Sequence, residues 1–269
     1  MVWSLSLMGS NSPATAPRGH RAYAIGDIHG RLDLLEDLLT SIESDNAARP
    51  KARTTIVFLG DLIDRGPQSA EVVERLRIYR PAFARTTFLM GNHEEVLLRI
   101  LAGEVEFLPN WMAFGGAECA ASYGIDPGEL RSASRKHALE LLRRNVPREH
   151  VKFLSSFADT ASFGGYLFVH AGIRPGVPLA NQTAEDLRWI RMPFLADDTD
   201  HGRVVVHGHT ISEEIDLQDN RIGIDTGAYR TGVLTALGLE GTDRWFLQTG
   251  ARVVGDEEPR RVANYSEAY

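Results

Sequence analysis

Between Gly60 and Gly66 the chain reads Gly-Asp-Leu-Ile-Asp-Arg-Gly, which puts two carboxylates and a guanidinium on one short segment. A carboxylate there can ligate a hard cation, and a guanidinium can grip a pair of phosphate oxygens. Gly26-Asp27-Ile28-His29-Gly30 sets an acid and an imidazole two residues apart between glycines, on the same side of a tight loop. That spacing suits two ligands to one metal. Gly91-Asn92-His93-Glu94, His170-Ala171-Gly172 and His207-Gly208-His209-Thr210 add amide, imidazole and carboxylate groups. Any one of these blocks reads equally well as a turn with a structural Asp or a packed His. Their recurrence is the stronger signal.

Each block follows a short apolar run. Residues 22–25, 54–59, 86–90, 166–169, 203–206 and 221–224 read as buried strands, the last leading into Asp225-Thr226-Gly227. Residues 233–239 and 245–248 read as closing strands. Leu32, Leu35, Leu38, Leu39 and Ile42 follow helical spacing over residues 31–44, with a polar connection at 46–53. Residues 69–77 and 96–101 are expected helices. Strand, ligand-rich loop and helix therefore occur three times, the pattern of βαβ units with functional groups at the strands' carboxyl ends. Structural Asp or His residues have no reason to fall at the same end of every strand.

The 269 residues suffice for one large α/β domain, expected over residues 21–250, with a leader at 1–20 read as disordered and a charged tail at 251–269. Residues 103–160, rich in Leu, Ala, Arg and Glu and broken at Gly115-Gly116, are expected to form a mostly helical insertion beside the site. With 43% hydrophobic and 24% charged residues the chain is an ordinary soluble type, and its net charge of -7 argues against a nucleic-acid partner. No apolar run reaches the roughly 20 residues of a membrane span. The single cysteine, Cys119, excludes an intramolecular disulfide and is read as a buried filler; together with the missing span it suits a cytoplasmic protein. His137 and His150 are read as surface histidines and His207 as a core one, and His20 and His201 receive no role.

Gly-Asp-Ile-His-Gly, Gly-Asp-Leu-Ile-Asp-Arg-Gly, Gly-Asn-His-Glu, His-Ala-Gly and Gly-His-Thr, in this order over residues 22–239, resemble the calcineurin-like metallophosphoesterase superfamily. The Asp64-Arg65-Gly66 ending is similar to its phosphoprotein phosphatase branch, and Trp189-Ile190-Arg191 with residues 224–228 to the lambda-type bacterial and phage enzymes. The resemblance implies an α/β fold, a two-sheet β-sandwich flanked by helices. It also implies two divalent metals, manganese foremost with iron or zinc admitted by the same donors. Asp27 and His29 would hold the first metal, Asn92, His170 and His209 the second, and Asp61 would bridge them. A water shared by two such ions, about 3.5–4 Å apart, would attack phosphorus as hydroxide. His93 would protonate the leaving oxygen, Asp64 would orient it, and Arg65, Arg191 and Asn92 would contact the phosphate. Gly-His-Thr in place of Gly-His-x-His lacks a ligand usual in the nuclease and phosphodiesterase branches, which favours phosphomonoesters.

The leading expectation is hydrolysis of phosphoserine and phosphothreonine, and of phosphotyrosine as an extension, with phosphoproteins or small phosphomonoesters as partners and neither nucleic acid nor membrane. The alternative is a symmetrical dinucleoside tetraphosphate hydrolase, whose family shares Gly-Asp-x-His-Gly and His-Ala-Gly-Ile but tends to carry Ala in place of Asp64. A third reading, a non-catalytic module on a degenerate scaffold, conflicts with the retention of every ligand and of His93.

Overall fold

The computed structural model of the chain describes residues 14–250. Five strands form the first sheet in the order β10-β9-β1-β2-β3. These are β1 (His20–Ile25), β2 (Arg53–Phe58), β3 (Ala84–Phe88), β9 (Thr235–Glu240) and β10 (Asp243–Gln248). β1, β2 and β3 are mutually parallel, with Ala22 opposite Thr55 and Thr55 opposite Arg85, and β9 closes on β1 antiparallel. The second sheet has the order β4-β5-β6-β8-β7. It comprises β4 (Thr160–Phe163), β5 (Tyr166–Val169), β6 (Val204–His207), β7 (Asp216–Leu217) and β8 (Arg221–Gly223). Its β5, β6 and β8 run parallel.

The strand alternation explains the layering. On β1, Ala22 and Ala24 face the second sheet, packing with Tyr166, Phe168, Val204 and Val206, while Tyr23 and Ile25 face the helices. A strand buried on both faces reads as a near-continuous apolar run, here Ala22–Ile25, and the buried Arg21 before it is met by Glu240, Asn46 and the Pro50 carbonyl. α1 (Leu32–Ala48), α2 (Ser69–Arg77) and α3 (Asn92–Ala102) cover the outer face of the first sheet with Leu35, Leu38, Val72, Leu76 and Leu97. The outer face of the second sheet packs Leu167, Val169 and Val205 against Leu187, Ile190 and Phe194.

Helix dominates the insertion. A 3-10 turn (Val105–Phe107) leads into α4 (Leu108–Trp111), a kink (Met112–Gly116) with non-helical backbone at Phe114 and Gly115, α5 (Ala117–Ser122), α6 (Pro127–Ser132), α7 (Arg135–Asn145) and α8 (Arg148–Leu154). α9 (Ala184–Trp189) and α10 (Ala228–Thr231) lie farther along the chain.

Several expectations change. Asn92, His93 and Glu94 form the first turn of α3 rather than a loop, because Gly91 is the N-cap and the Glu94 carboxylate accepts its N–H at 3.1 Å. α1 runs on through residues 46–48, where a polar connection was expected. Asp45 there accepts Tyr23 Oη–H at 2.5 Å and Trp245 Nε1–H at 3.0 Å, a tertiary anchor that holds the last turn. The leader expected at 1–20 is shortened: Ala16 N–H donates to Gly241 and Thr15 O accepts from Gly165, so residues 14–20 are tied to both sheets. Residues 1–13 and the tail 251–269 lie outside the described residues. His150 is buried, not superficial, since Tyr123 Oη at 3.0 Å and Glu74 Oε2 at 3.1 Å satisfy its ring. Among the described residues no helix is long and apolar enough to cross a membrane.

Candidate active site

Six parallel strands, three from each sheet, direct their carboxyl ends to one place. β1 delivers Asp27, β2 Asp61, β3 the Asn92–His93 turn, β5 His170, β6 His209 and β8 Asp225. Main-chain bonds join the loops: Ile28 N–H and His29 N–H donate to Asp61 O at 3.1 and 2.9 Å, and Gly208 N–H donates to His170 O at 2.8 Å. The His209 N–H donates to Asp27 Oδ2 at 3.0 Å, which stitches the two sheets. Among the described residues five non-glycines have positive φ: His29 (47°), Asp61 (50°), Asp64 (71°), Arg65 (67°) and His209 (64°). All five are residues singled out from the sequence. Such conformations cost free energy and persist only where surrounding contacts impose them, a recurrent property of functional sites.

The donor atoms converge in two clusters about Asp61. Asn92 Oδ1 lies 3.0 Å from His170 Nε2 and 2.9 Å from His209 Nδ1, and His170 Nε2 lies 3.4 Å from Asp61 Oδ1. Across the same carboxylate, Asp61 Oδ2 is 3.7 Å from His29 Nε2 and 3.8 Å from His93 Nε2. Ligands each about 2.1 Å from one ion sit roughly 3–4 Å from one another, so these spacings fit metal coordination. His29–Asp61–His93 and Asp61–His170–His209 are both able to hold a metal ion. Asp27 Oδ1 and His29 Nε2 are buried without a hydrogen-bond partner, the state expected of donors meant for a cation. The ring orientations agree. His29 Nδ1 is 2.8 Å from Ile63 O and His170 Nδ1 is 2.9 Å from Leu59 O, so each Nδ1–H donates to a carbonyl and turns the Nε2 lone pair inward.

Electrostatics point the same way. Burial pushes Asp27 well above the usual carboxylate range, and the nearby Asp225 and Asp61 push it further. Burial raises Asp225 too. Asp61 is held well below its ordinary value because His170, His93 and His29 together outweigh its burial. Burial, then His93, holds His29 well below an ordinary histidine, and burial, then His170, does the same to His209. His170 differs: burial lowers its pKa, but Asp61 and Glu94 more than offset this and leave it raised. Neutral His29 and His209 beside three crowded carboxylates suit bound cations.

His93 stands beside this centre. Its Nδ1 is 2.6 Å from Asp64 Oδ2, and its Nε2 is 3.2 Å from Arg65 Nη2. Burial lowers the His93 pKa, but Asp61 and the Asp64 hydrogen bond more than offset this and leave it raised. Arg65 lies over the Tyr229 ring, 4.9 Å from its centroid, and that ring meets His29 edge-on at 5.5 Å. Arg191 has no side-chain hydrogen bond among the described residues. Partial burial and the charge of Arg65 hold its guanidinium below its ordinary pKa. Two neighbouring guanidiniums with free donors suit a multiply charged anion.

Four residues without an assigned role also shape the site. Asp225 ends a parallel strand as the others do, so its signal was present. Tyr229 carried none. Glu94 is fully buried: Oε2 accepts Asp61 N–H at 2.8 Å and Gly91 N–H at 3.1 Å, and Oε1 accepts Leu62 N–H at 2.8 Å. Burial and then Asp61 push its pKa up to about 7, yet both oxygens face donors, so the anion is the form this pocket binds. Glu94→Gln turns an amide N–H against those donors. It is expected to cost about 2–4 kcal/mol and lower Tm by roughly 5–10 °C, measured by calorimetry, and an unchanged Tm would refute this role. The fourth is Trp111, from the insertion, whose Nε1–H reaches Asp64.

The sequence profile of the calcineurin-like phosphoesterases matches residues 20–254. The chain belongs to this family. It is 29% identical over 231 residues to bis(5'-nucleosyl)-tetraphosphatase PrpE (asymmetrical) of Anoxybacillus flavithermus, covering 79% of this chain and 88% of that one. It is 27% identical over 273 residues to the symmetrical bis(5'-nucleosyl)-tetraphosphatase of Dechloromonas aromatica, covering 84% and 94% of the two chains. Among solved structures, a putative diadenosine tetraphosphatase shares the fold with a TM-score of 0.58 and 20% identity, over 87% of this chain and 98% of that one. A cold-active protein-tyrosine phosphatase from a psychrophilic Shewanella species shares it with a TM-score of 0.51 and 19% identity, over 86% and 80%. Membership of the family and the paired clusters make the chain a metallophosphoesterase. The named relatives move the weight from protein phosphatase toward the dinucleotide alternative.

Proposed function

We propose that this phosphoesterase hydrolyses dinucleoside tetraphosphates at a centre of two divalent cations. The observation that carries the substrate class is the named activity of two relatives that align over most of their own length. Asp64, which argued for a protein phosphatase, is fully buried behind His93. It cannot touch a substrate, so it reports how His93 is braced and not what is cleaved.

In this reading Asp27, His29, Asp61, Asn92, His170 and His209 hold the cations, with Asp61 shared. Manganese is the first candidate, and iron and zinc suit the same donors. The cations when bound supply Lewis-acid polarisation of the phosphate oxygens and of the attacking water. Arg65 and Arg191 take the non-bridging oxygens and hold the polyphosphate chain, and Asn92 contributes an amide beside them. His93, its Nδ1 fixed by Asp64, turns Nε2 to the leaving oxygen and gives it a proton.

A specific observation favours phosphoserine and phosphothreonine as a second substrate class. The leaving group of a tetraphosphate is itself a phosphate, with a pKa of about 6, and needs little protonation. An alkoxide is far more basic, and the 2.6 Å Asp64–His93 pair is the kind of acid that it requires.

The test compares diadenosine tetraphosphate with a phosphothreonine and a phosphotyrosine peptide in manganese, with chelated protein as control. We expect kcat/KM for the dinucleotide to exceed both peptides by at least about tenfold, and chelation to remove the activity. Two molecules of ADP mark symmetrical cleavage, whereas ATP with AMP marks asymmetrical cleavage. An intact dinucleotide beside rapid peptide dephosphorylation would return the function to protein phosphatase.

A further inference from the structure

Trp111 is 3% exposed and reaches out of the insertion into the back of the site. Its Nε1–H lies 3.1 Å from Asp64 Oδ1 and 3.0 Å from Oδ2, astride the carboxylate. Among the described residues the only other side-chain nitrogen bonded to Asp64 is His93 Nδ1. A buried carboxylate needs such donors, because desolvation otherwise favours its neutral form. They also set its orientation: the Asp χ2 torsion is soft, so the plane of a carboxylate follows its hydrogen bonds.

The indole is itself fixed. A Cβ on Gly116 would collide with its ring, so glycine there permits the packing. Gly115, at φ +110°, turns its carbonyl to accept Arg65 N–H at 3.0 Å, and a Cβ there would come within 2.6 Å of Arg65 Cγ. The kink at Met112–Gly116, where Phe114 and Gly115 leave helical geometry, thus joins Trp111, behind Asp64, to the strained Arg65 backbone.

We propose that Trp111 is a positioning residue. Its N–H locks the plane of the Asp64 carboxylate, which in turn holds the His93 ring with Nε2 toward the leaving oxygen. This rests on the reading of His93 as the acid. The insertion is thereby part of the catalytic apparatus and not merely a wall of the cleft.

The test uses two aryl esters of different leaving-group basicity, phenyl phosphate and 2,4-dinitrophenyl phosphate, with the manganese-loaded full chain. Trp111→Phe removes the N–H and keeps an aromatic ring. It is expected to lower kcat on phenyl phosphate by about tenfold or more and on the dinitrophenyl ester by under about threefold, with metal content unchanged. The double variant with Asp64→Ala should be no slower than Asp64→Ala alone, since residues that act as a unit are not additive. Equal losses on both esters, or losses that multiply in the double variant, would overturn the proposal. If Trp111→Phe does not fold, benzothienylalanine at the same position removes the N–H at constant shape and is judged by the same ester ratio. His93→Asn is the separate control. Without a steep leaving-group dependence in that variant the acid reading itself fails, and this proposal with it; with one, failure of the tryptophan variants falls on Trp111 alone.

Discussion

His93→Asn is expected to lower kcat on a phosphothreonine peptide by about 10²–10⁴-fold while the protein keeps about two metal ions per chain. The first half of that result follows from geometry. His93 is buried, its Nδ1 is committed to Asp64 at 2.6 Å, and its Nε2 faces Arg65 at 3.2 Å, where a phosphate bound by that guanidinium would lie. The second half separates two geometries, because His93 Nε2 stands 3.8 Å from Asp61 Oδ2, almost the same distance as His29 Nε2 at 3.7 Å. An imidazole so placed can be read as a ligand of the first cluster. Metal analysis decides it: loss of one ion together with activity would make His93 a ligand and leave the acid unassigned. The loss on diadenosine tetraphosphate is expected to be smaller than on the peptide, because a phosphate leaves without much help from an acid.

Asp61→Asn should be the most damaging single change, lowering kcat by at least about a thousandfold and metal content to one ion or fewer per chain. Its two oxygens serve different clusters: Oδ1 lies 3.4 Å from His170 Nε2, and Oδ2 lies 3.7 Å from His29 Nε2. An amide keeps one oxygen and presents an N–H to the other cluster, so it cannot ligate both. The substitution also removes the negative charge that the histidines surround, and its N–H would donate to an imidazole lone pair that a cation would otherwise take. Metal analysis beside steady-state rates checks it. A variant with two ions bound and less than about a tenfold loss would show that Asp61 is not shared.

Much of the site was legible because its parts are local. Asp27 with His29, Asp61 with Asp64 and Arg65, and Asn92 with His93 each share one loop or turn directly after a strand, and a parallel sheet must bring the ends of its strands together. His170 and His209 were legible for the same reason in the second sheet. Asp225 obeyed the rule and was passed over, having no histidine or arginine beside it. Glu94 was written in the same block as Asn92, yet nothing local says that its carboxylate turns back to bind three main-chain N–H groups of the β2 loop. His150 looked superficial because its sequence neighbours are charged, but its partner Glu74 is 76 residues away.

The sequence by itself determined the family, the six strand ends and the donor types, since all of these are written in short runs of residues. Tertiary structure alone decided what braces them. Trp111 is 47 positions from Asp64 and reaches it only because the kink at Met112–Gly116 docks on the Arg65 loop. The Gly60–Gly66 block was therefore readable as metal and phosphate chemistry, but not as evidence of substrate. A buried aspartate behind a histidine is satisfied by whatever donor the fold packs against it, and packing between distant segments leaves no mark at the position it serves.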